Sequence, residues 1–168
     1  MRLVSTLFLV LIVFLAGCGV ENRNAARLFG NMTYYIGDER SVESVTLVNS
    51  SYRSLPLNVF YYNKYIYGDL NDDGLKDAAV ITEQNSGGSG YCYVLNFLIN
   101  DGERLVHKAS RRLEGAIEIN RMSLKNGRAY IDMDVRQGEG HAENPSRRVK
   151  KVYEYTDPDV FVFPAFKS

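Results

Sequence analysis

The chain has 168 residues, 45% apolar, 24% charged and 12% aromatic, and its twenty basic and twenty acidic residues give a formal net charge of zero. This ordinary globular composition excludes a disordered tail, a collagen-like fibre and a low-complexity tether, and the neutral balance offers no clustered basic surface to nucleic acid. Two Cys and no Trp exclude a disulfide-dense miniprotein and a four-Cys zinc site, and the length fits one compact domain.

At the start of the chain, Arg2 precedes Leu3 to Phe14, a run that is apolar except for Ser5 and Thr6. A charged head before a short apolar core is the layout of a secretory signal. Glu21, Asn22, Arg23 and Asn24 end the run before the roughly twenty apolar residues needed to span a bilayer. Leu15-Ala16-Gly17-Cys18 resembles the lipobox of bacterial lipoproteins, in which cleavage precedes the Cys and its sulfur carries diacylglycerol. The resemblance implies a signal peptide over residues 1–17, lipidation of Cys18, and a membrane as partner through that lipid. Stable anchoring needs more than one acyl chain, which this modification supplies. Gly19 after the Cys, rather than Asp, implies the outer membrane where the organism has one; the expected location is the bacterial cell envelope. The alternative is an ordinary signal peptide with a chance Cys.

Residues 18–30 are expected to form a lipid-anchored tether, with one or two helical turns over Asn24–Phe29 stopped at Gly30. A single β-rich domain is expected over residues 31–163, with a tail at 164–168. Strands are predicted at Met32–Ile36, Ser44–Val48, Leu57–Tyr67, Asp77–Glu83, Tyr91–Ile99, Leu105–Ala109, Ala116–Leu124, Arg128–Arg136 and Arg148–Tyr155, all rich in β-branched or aromatic residues. In the run from Ala129 to Val135 one face carries Ala129, Ile131, Met133 and Val135 and the other Tyr130, Asp132 and Asp134, the alternation of a sheet with one dry face. Asn100-Asp101-Gly102 and Asn126-Gly127 are hairpin signals. Eight or nine strands on short loops predict a mainly β fold, an antiparallel meander curved into a barrel or a sandwich. No segment repeats, which excludes a complete propeller.

The sharpest local signal is Asp69-Leu70-Asn71-Asp72-Asp73-Gly74-Leu75-Lys76-Asp77. Oxygen side chains fall at places one, three, five and nine, and Gly74 follows the third of them. Calcium needs six to eight oxygens, and a chain wrapped round the ion presents side chains at alternate residues. The expected ligands are Asp69, Asn71, Asp73, the Leu75 carbonyl and Asp77, with a structural calcium ion of modest affinity, about 0.1–1 mM as in extracellular modules. The opening D-x-D/N-x-D/N-G matches an EF-hand loop, but place twelve is Val80 rather than Glu, and a strand follows instead of a helix. The loop resembles instead the calcium loop of integrin-type β-propeller blades, present here in one copy. The alternative is a solvated Asp- and Asn-rich turn without metal.

Other candidates carry less. Asn85-Ser86-Gly87-Gly88-Ser89-Gly90 precedes a strand and lacks the Lys of a phosphate loop, so it reads as a loop joining strands. Cys92 sits in an apolar strand and is expected to be buried and inert. Tyr61, Tyr62, Tyr65, Tyr67, Tyr91 and Tyr93 read first as packing and second as a sugar- or protein-binding face. His141, between Glu139 and Glu143, matches no zinc signature, and Arg147-Arg148-Val149-Lys150-Lys151 reads as a solvated strand face.

Residues 31 to about 155 resemble a family of small secreted or lipid-anchored bacterial proteins of unsettled function. The resemblance rests on Tyr67-Gly68-Asp69-Leu70-Asn71-Asp72-Asp73-Gly74, Asp77-Ala78-Ala79-Val80-Ile81-Thr82, Asn85-Ser86-Gly87-Gly88-Ser89-Gly90-Tyr91 and Tyr93-Val94-Leu95. Asp72 stands where the family carries Gly, and the stretch Gly138–His141 lacks the paired Cys often found there. The expected function is a calcium-stabilised binding or structural module whose partner is an envelope protein or glycan, not an enzyme. An inhibitor of a hydrolase such as lysozyme is the alternative. An envelope polysaccharide hydrolase using Asp132 and Asp134 is the third.

Overall fold

The computed structural model describes residues 23–38, 41–87, 91–113, 115–136 and 146–156. Cys18, the signal residues 1–17, Gly88–Gly90, the His141 loop and the tail lie outside them. One short helix, α1 (residues 23–29), is followed by ten strands: β1 Thr33–Asp38, β2 Ser41–Thr46, β3 Ser51–Ser54, β4 Leu57–Gly68, β5 Asp77–Asn85, β6 Cys92–Asn100, β7 Leu105–Leu113, β8 Ala116–Lys125, β9 Arg128–Arg136 and β10 Arg147–Glu154. The fold is mainly β and antiparallel throughout, as the alternating runs predict. It does not close into a barrel: the strands form a β1–β2 hairpin, a five-stranded sheet in the order β3-β4-β5-β6-β7, and a three-stranded sheet in the order β10-β9-β8.

Two apolar clusters explain the layering. One cluster joins Ile81, Leu95 and Phe97 of the five-stranded sheet to Ile119, Ile131 and Met133 of the three-stranded sheet. The other joins Ala78, Val80 and Leu98, from the opposite face of the same five-stranded sheet, to Phe29, Tyr34, Val45 and Leu47. The central sheet is therefore covered on both faces, which is why β5 and β6 read as near-continuous apolar runs rather than alternating ones. β9 is covered on one face only, and its buried residues are Ala129, Ile131, Met133 and Val135.

Helix α1 buries Ala25 and Phe29, one turn apart on the same face, so part of the segment read as tether packs on the domain. Gly30 ends the helix, its N–H donating to the Ala26 carbonyl at 2.9 Å. A side chain there would strike Ser50 Oγ and the Ala26 carbonyl. The extra strand, β3, pairs only with the start of β4; its sequence, Ser-Tyr-Arg-Ser, carries almost no strand-forming side chain.

Two irregularities break the ladders where the central and three-stranded sheets meet. Between Tyr61 and Tyr65 of β4, three residues oppose the single residue Ile81, and between Ile119 and Arg121 of β8 the extra residue is Asn120. Asn63, inside the first, adopts φ 55°, a left-handed conformation that Asn tolerates better than most residues.

Candidate functional site

The acidic loop joins β4 to β5. Leu70, buried in the inter-sheet cluster, holds its first half down, and Asp72 (φ 61°) and Gly74 (φ 81°) turn the backbone through left-handed conformations. The inward amides are taken up by the loop's own side chains. Asp69 accepts from Gly74 N–H at 2.8 Å and from Asp73 N–H at 3.2 Å. Asp73 accepts from Leu75 N–H at 2.7 Å, and its second oxygen takes the Asn71 amide at 2.8 Å. Asn71 Oδ1 lies 3.4 Å from Asp73 N–H. Asp69, Asn71 and Asp73 are thus brought together on one side of the turn, and Leu75 is tied to them through its amide.

Asp77 is placed differently. Its carboxylate is fully buried, with Oδ2 accepting from Leu70 N–H and Oδ1 from Asn100 N–H, both at 2.8 Å. Burial pushes its pKa above the ordinary carboxylate value; the Asn100 and Leu70 amides oppose the rise, while Asp73 and Asp69 add to it. Among the described residues no three His, Cys, Asp or Glu side chains form a group able to hold a metal ion. The donor set at the turn is two carboxylates and one amide oxygen, hard oxygens that suit calcium but number fewer than the six to eight it takes. Water and the Leu75 carbonyl would have to supply the rest.

The remaining candidates resolve into packing and pairing. Tyr61, Tyr65 and Tyr67 surround Phe29 of α1 at ring distances of 5.9, 5.3 and 5.6 Å, while Tyr62 meets Tyr93 edge-on at 5.0 Å on the opposite face. Tyr91 is exposed. Cys92 is buried, and burial pushes its thiol up against the opposing pull of Arg112. Asp132 is gripped by Arg148 through two bonds of 2.8 and 2.9 Å, which hold its carboxyl below the usual range. Asp134 accepts from Asn120 Nδ2 at 2.9 Å. Asn85 accepts from Gly87 N–H at 2.9 Å, a local turn at the start of the glycine-rich loop.

A buried polar chain across β5, β6 and β7 was not singled out by sequence. His107 Nδ1 accepts the Tyr35 N–H at 2.9 Å, so Nε2 carries the proton and faces Ala109 O at 3.1 Å and Ser110 Oγ at 2.9 Å. Ser110 donates to Asn96 Oδ1, and Asn96 Nδ2 reaches Thr82 Oγ1, both at 3.0 Å. The available signal was a lone Asn inside Val94-Leu95-Asn96-Phe97-Leu98: a polar residue in an apolar run is kept only where it is bonded.

No protein-family model matches the chain, and no curated protein and no solved structure matches it either.

Proposed function

We propose that this chain is a lipid-anchored module of the bacterial cell envelope, binding or structural rather than enzymatic, whose β4–β5 loop takes one calcium ion. The observation that carries the reading is the gathering of Asp69, Asn71 and Asp73 on one side of a turn whose amides they already order. The two carboxylates repel one another, and a divalent cation would relieve that repulsion. Asp69, Asn71, Asp73 and the Leu75 carbonyl would hold it, with Asp77 bracing the loop from below and adding negative charge. The ion would supply rigidity, fixing the crossover between two strands of the central sheet. The lipobox-like Leu15-Ala16-Gly17-Cys18 and the family resemblance of residues 31–155 support the envelope location. The partner is an envelope protein or glycan.

Calcium titrated into chelator-treated protein should raise the melting temperature in the millimolar range, and Asp69→Asn combined with Asp73→Asn should abolish the rise. No shift at several millimolar calcium overturns the metal reading. Separately, Cys18→Ser should move the chain from the membrane fraction to the soluble fraction. Unchanged fractionation overturns the anchor.

A further inference from the structure

The two strand irregularities of β4 and β8 face each other across the sheets, and a cleft of about 130 Å³ opens between them, lined by Asn63, Lys64, Asn120 and Arg121. Asn63 also lines a second cavity of about 320 Å³, bounded by Arg23 and Ala26 of α1, Ser50 and Tyr61. Asn63 is their one shared lining residue: the cleft lies on the side of the central sheet that faces β8, the second cavity on the side covered by α1. Neither is lined by an Asp or a Glu, whereas three cations line them, in a chain whose acidic and basic residues are equal in number.

The polar groups of the cleft are rich in donors. Lys64 is half-buried and makes no hydrogen bond or ion pair among the described residues. Arg121 lies opposite Asp132 in the β8–β9 ladder, a carboxylate whose two oxygens Arg148 already holds. Asn120 commits its amide nitrogen to Asp134 at 2.9 Å, which leaves its oxygen as an acceptor.

We propose that this cleft binds a phosphate ester, its phosphoryl group held between Lys64 and Arg121. Two cations sharing one small cleft match a dianion better than a carboxylate, which leaves one of them uncompensated. A hydroxyl on the ester gives the Asn120 oxygen its donor. The ester can be a soluble metabolite or an anionic lipid headgroup. Only the second source rests on the proposed anchor: Cys18 lies five residues before Arg23, at most about 18 Å of extended chain.

The test uses the full chain in neutral detergent, titrated calorimetrically at constant ionic strength with glycerol 3-phosphate and, in parallel, with acetate. Saturable binding of the phosphate ester is expected, at least tenfold weaker in Lys64→Gln and in Arg121→Gln, restored in Lys64→Arg, and unchanged in Lys108→Gln, an exposed cation of β7 outside the cleft. No saturation, equal binding of acetate, or equal affinity in Lys64→Gln and Arg121→Gln with unchanged melting temperatures overturns the proposal. Flotation with phosphatidylglycerol against phosphatidylcholine vesicles then separates the sources. A Lys64-dependent preference for the anionic vesicles supports the headgroup, and glycerol 3-phosphate binding without that preference supports the soluble ester. Because the calorimetric arm involves neither calcium nor the anchor, the cleft and the envelope reading fail independently, and only the vesicle arm depends on both.

Discussion

Asp77 shows how one side chain can serve a loop from beneath. Its two oxygens hold Leu70 N–H at the start of the acidic loop and Asn100 N–H at the end of β6, two chain segments that no ladder joins at that point. Removing the carboxylate leaves both amides without an acceptor in a place water does not reach, and each costs about 1–3 kcal/mol. Asp77→Ala is therefore expected to lose about 3 kcal/mol of stability in urea unfolding. Asp77→Asn should lose less, since one oxygen remains while the new amide nitrogen opposes the second N–H. The spacing of Asp69, Asn71 and Asp73 was legible because alternation along a short loop is a local property. The clamping bonds of Asp77 were not, because they depend on a residue 23 positions away, and a count of alternate oxygens does not show which side chain also bonds to a second strand.

At the level of elements, the turns were the most legible feature. Asn126-Gly127 closes β8 onto β9 with φ of 50° and 68°, the pair of left-handed residues that an Asn-Gly hairpin demands. A side chain on Gly127 would meet the Leu70 carbonyl only at 3.5 Å, an ordinary contact, so the penalty of Gly127→Ala is conformational. It is expected to cost about 1–2 kcal/mol, read as a shift of the urea midpoint with unchanged slope. The strand patterns of β5, β6 and β9 were equally legible, since burial on two faces or one writes itself into apolar continuity or alternation. The irregularity of β4 was not. Its sequence, Asn58 to Tyr67, contains no Gly to mark a break, and Asn63, which takes the left-handed conformation there, reads equally well as an ordinary polar position of a strand. The cleft it helps to form was hidden for the same reason: Lys64 and Arg121 are far apart in sequence, and each alone reads as a solvated charge.

On the scale of the whole molecule, the β1–β2 hairpin is held on the central sheet partly through a neutral imidazole. His107 stacks on the Tyr35 ring, with centroids 5.9 Å apart, and takes the Tyr35 N–H on Nδ1. Burial lowers its pKa from 6.5 to about 4, with the Ala109 carbonyl opposing the shift. The folded protein then binds fewer protons than the unfolded chain between those values, so this group makes stability rise with pH. Its contribution is complete above about pH 6.5, declines as pH falls from there to about 4, and is lost below. The difference is on the order of 3 kcal/mol. Urea unfolding of the parent chain at pH 7 and pH 4.5 should show that loss, whereas His107→Gln should be less stable at pH 7 and show a correspondingly flatter dependence. Amide exchange over β1 should accelerate at the lower pH in the parent alone.

All the sheet ladders join strands that are consecutive in the chain: β1 to β2, β3 through β7, and β8 through β10. Among the described residues no strand waits for a distant segment before its backbone groups find partners, and each hairpin can close as soon as its second arm is available. A polypeptide delivered from its amino end can therefore complete the hairpin, then the five-stranded layer, then the outer three-stranded layer in the order in which they emerge. Edge exposure at any instant is confined to the most recently delivered arm, which shortens the interval in which an unpaired strand could recruit a neighbouring chain.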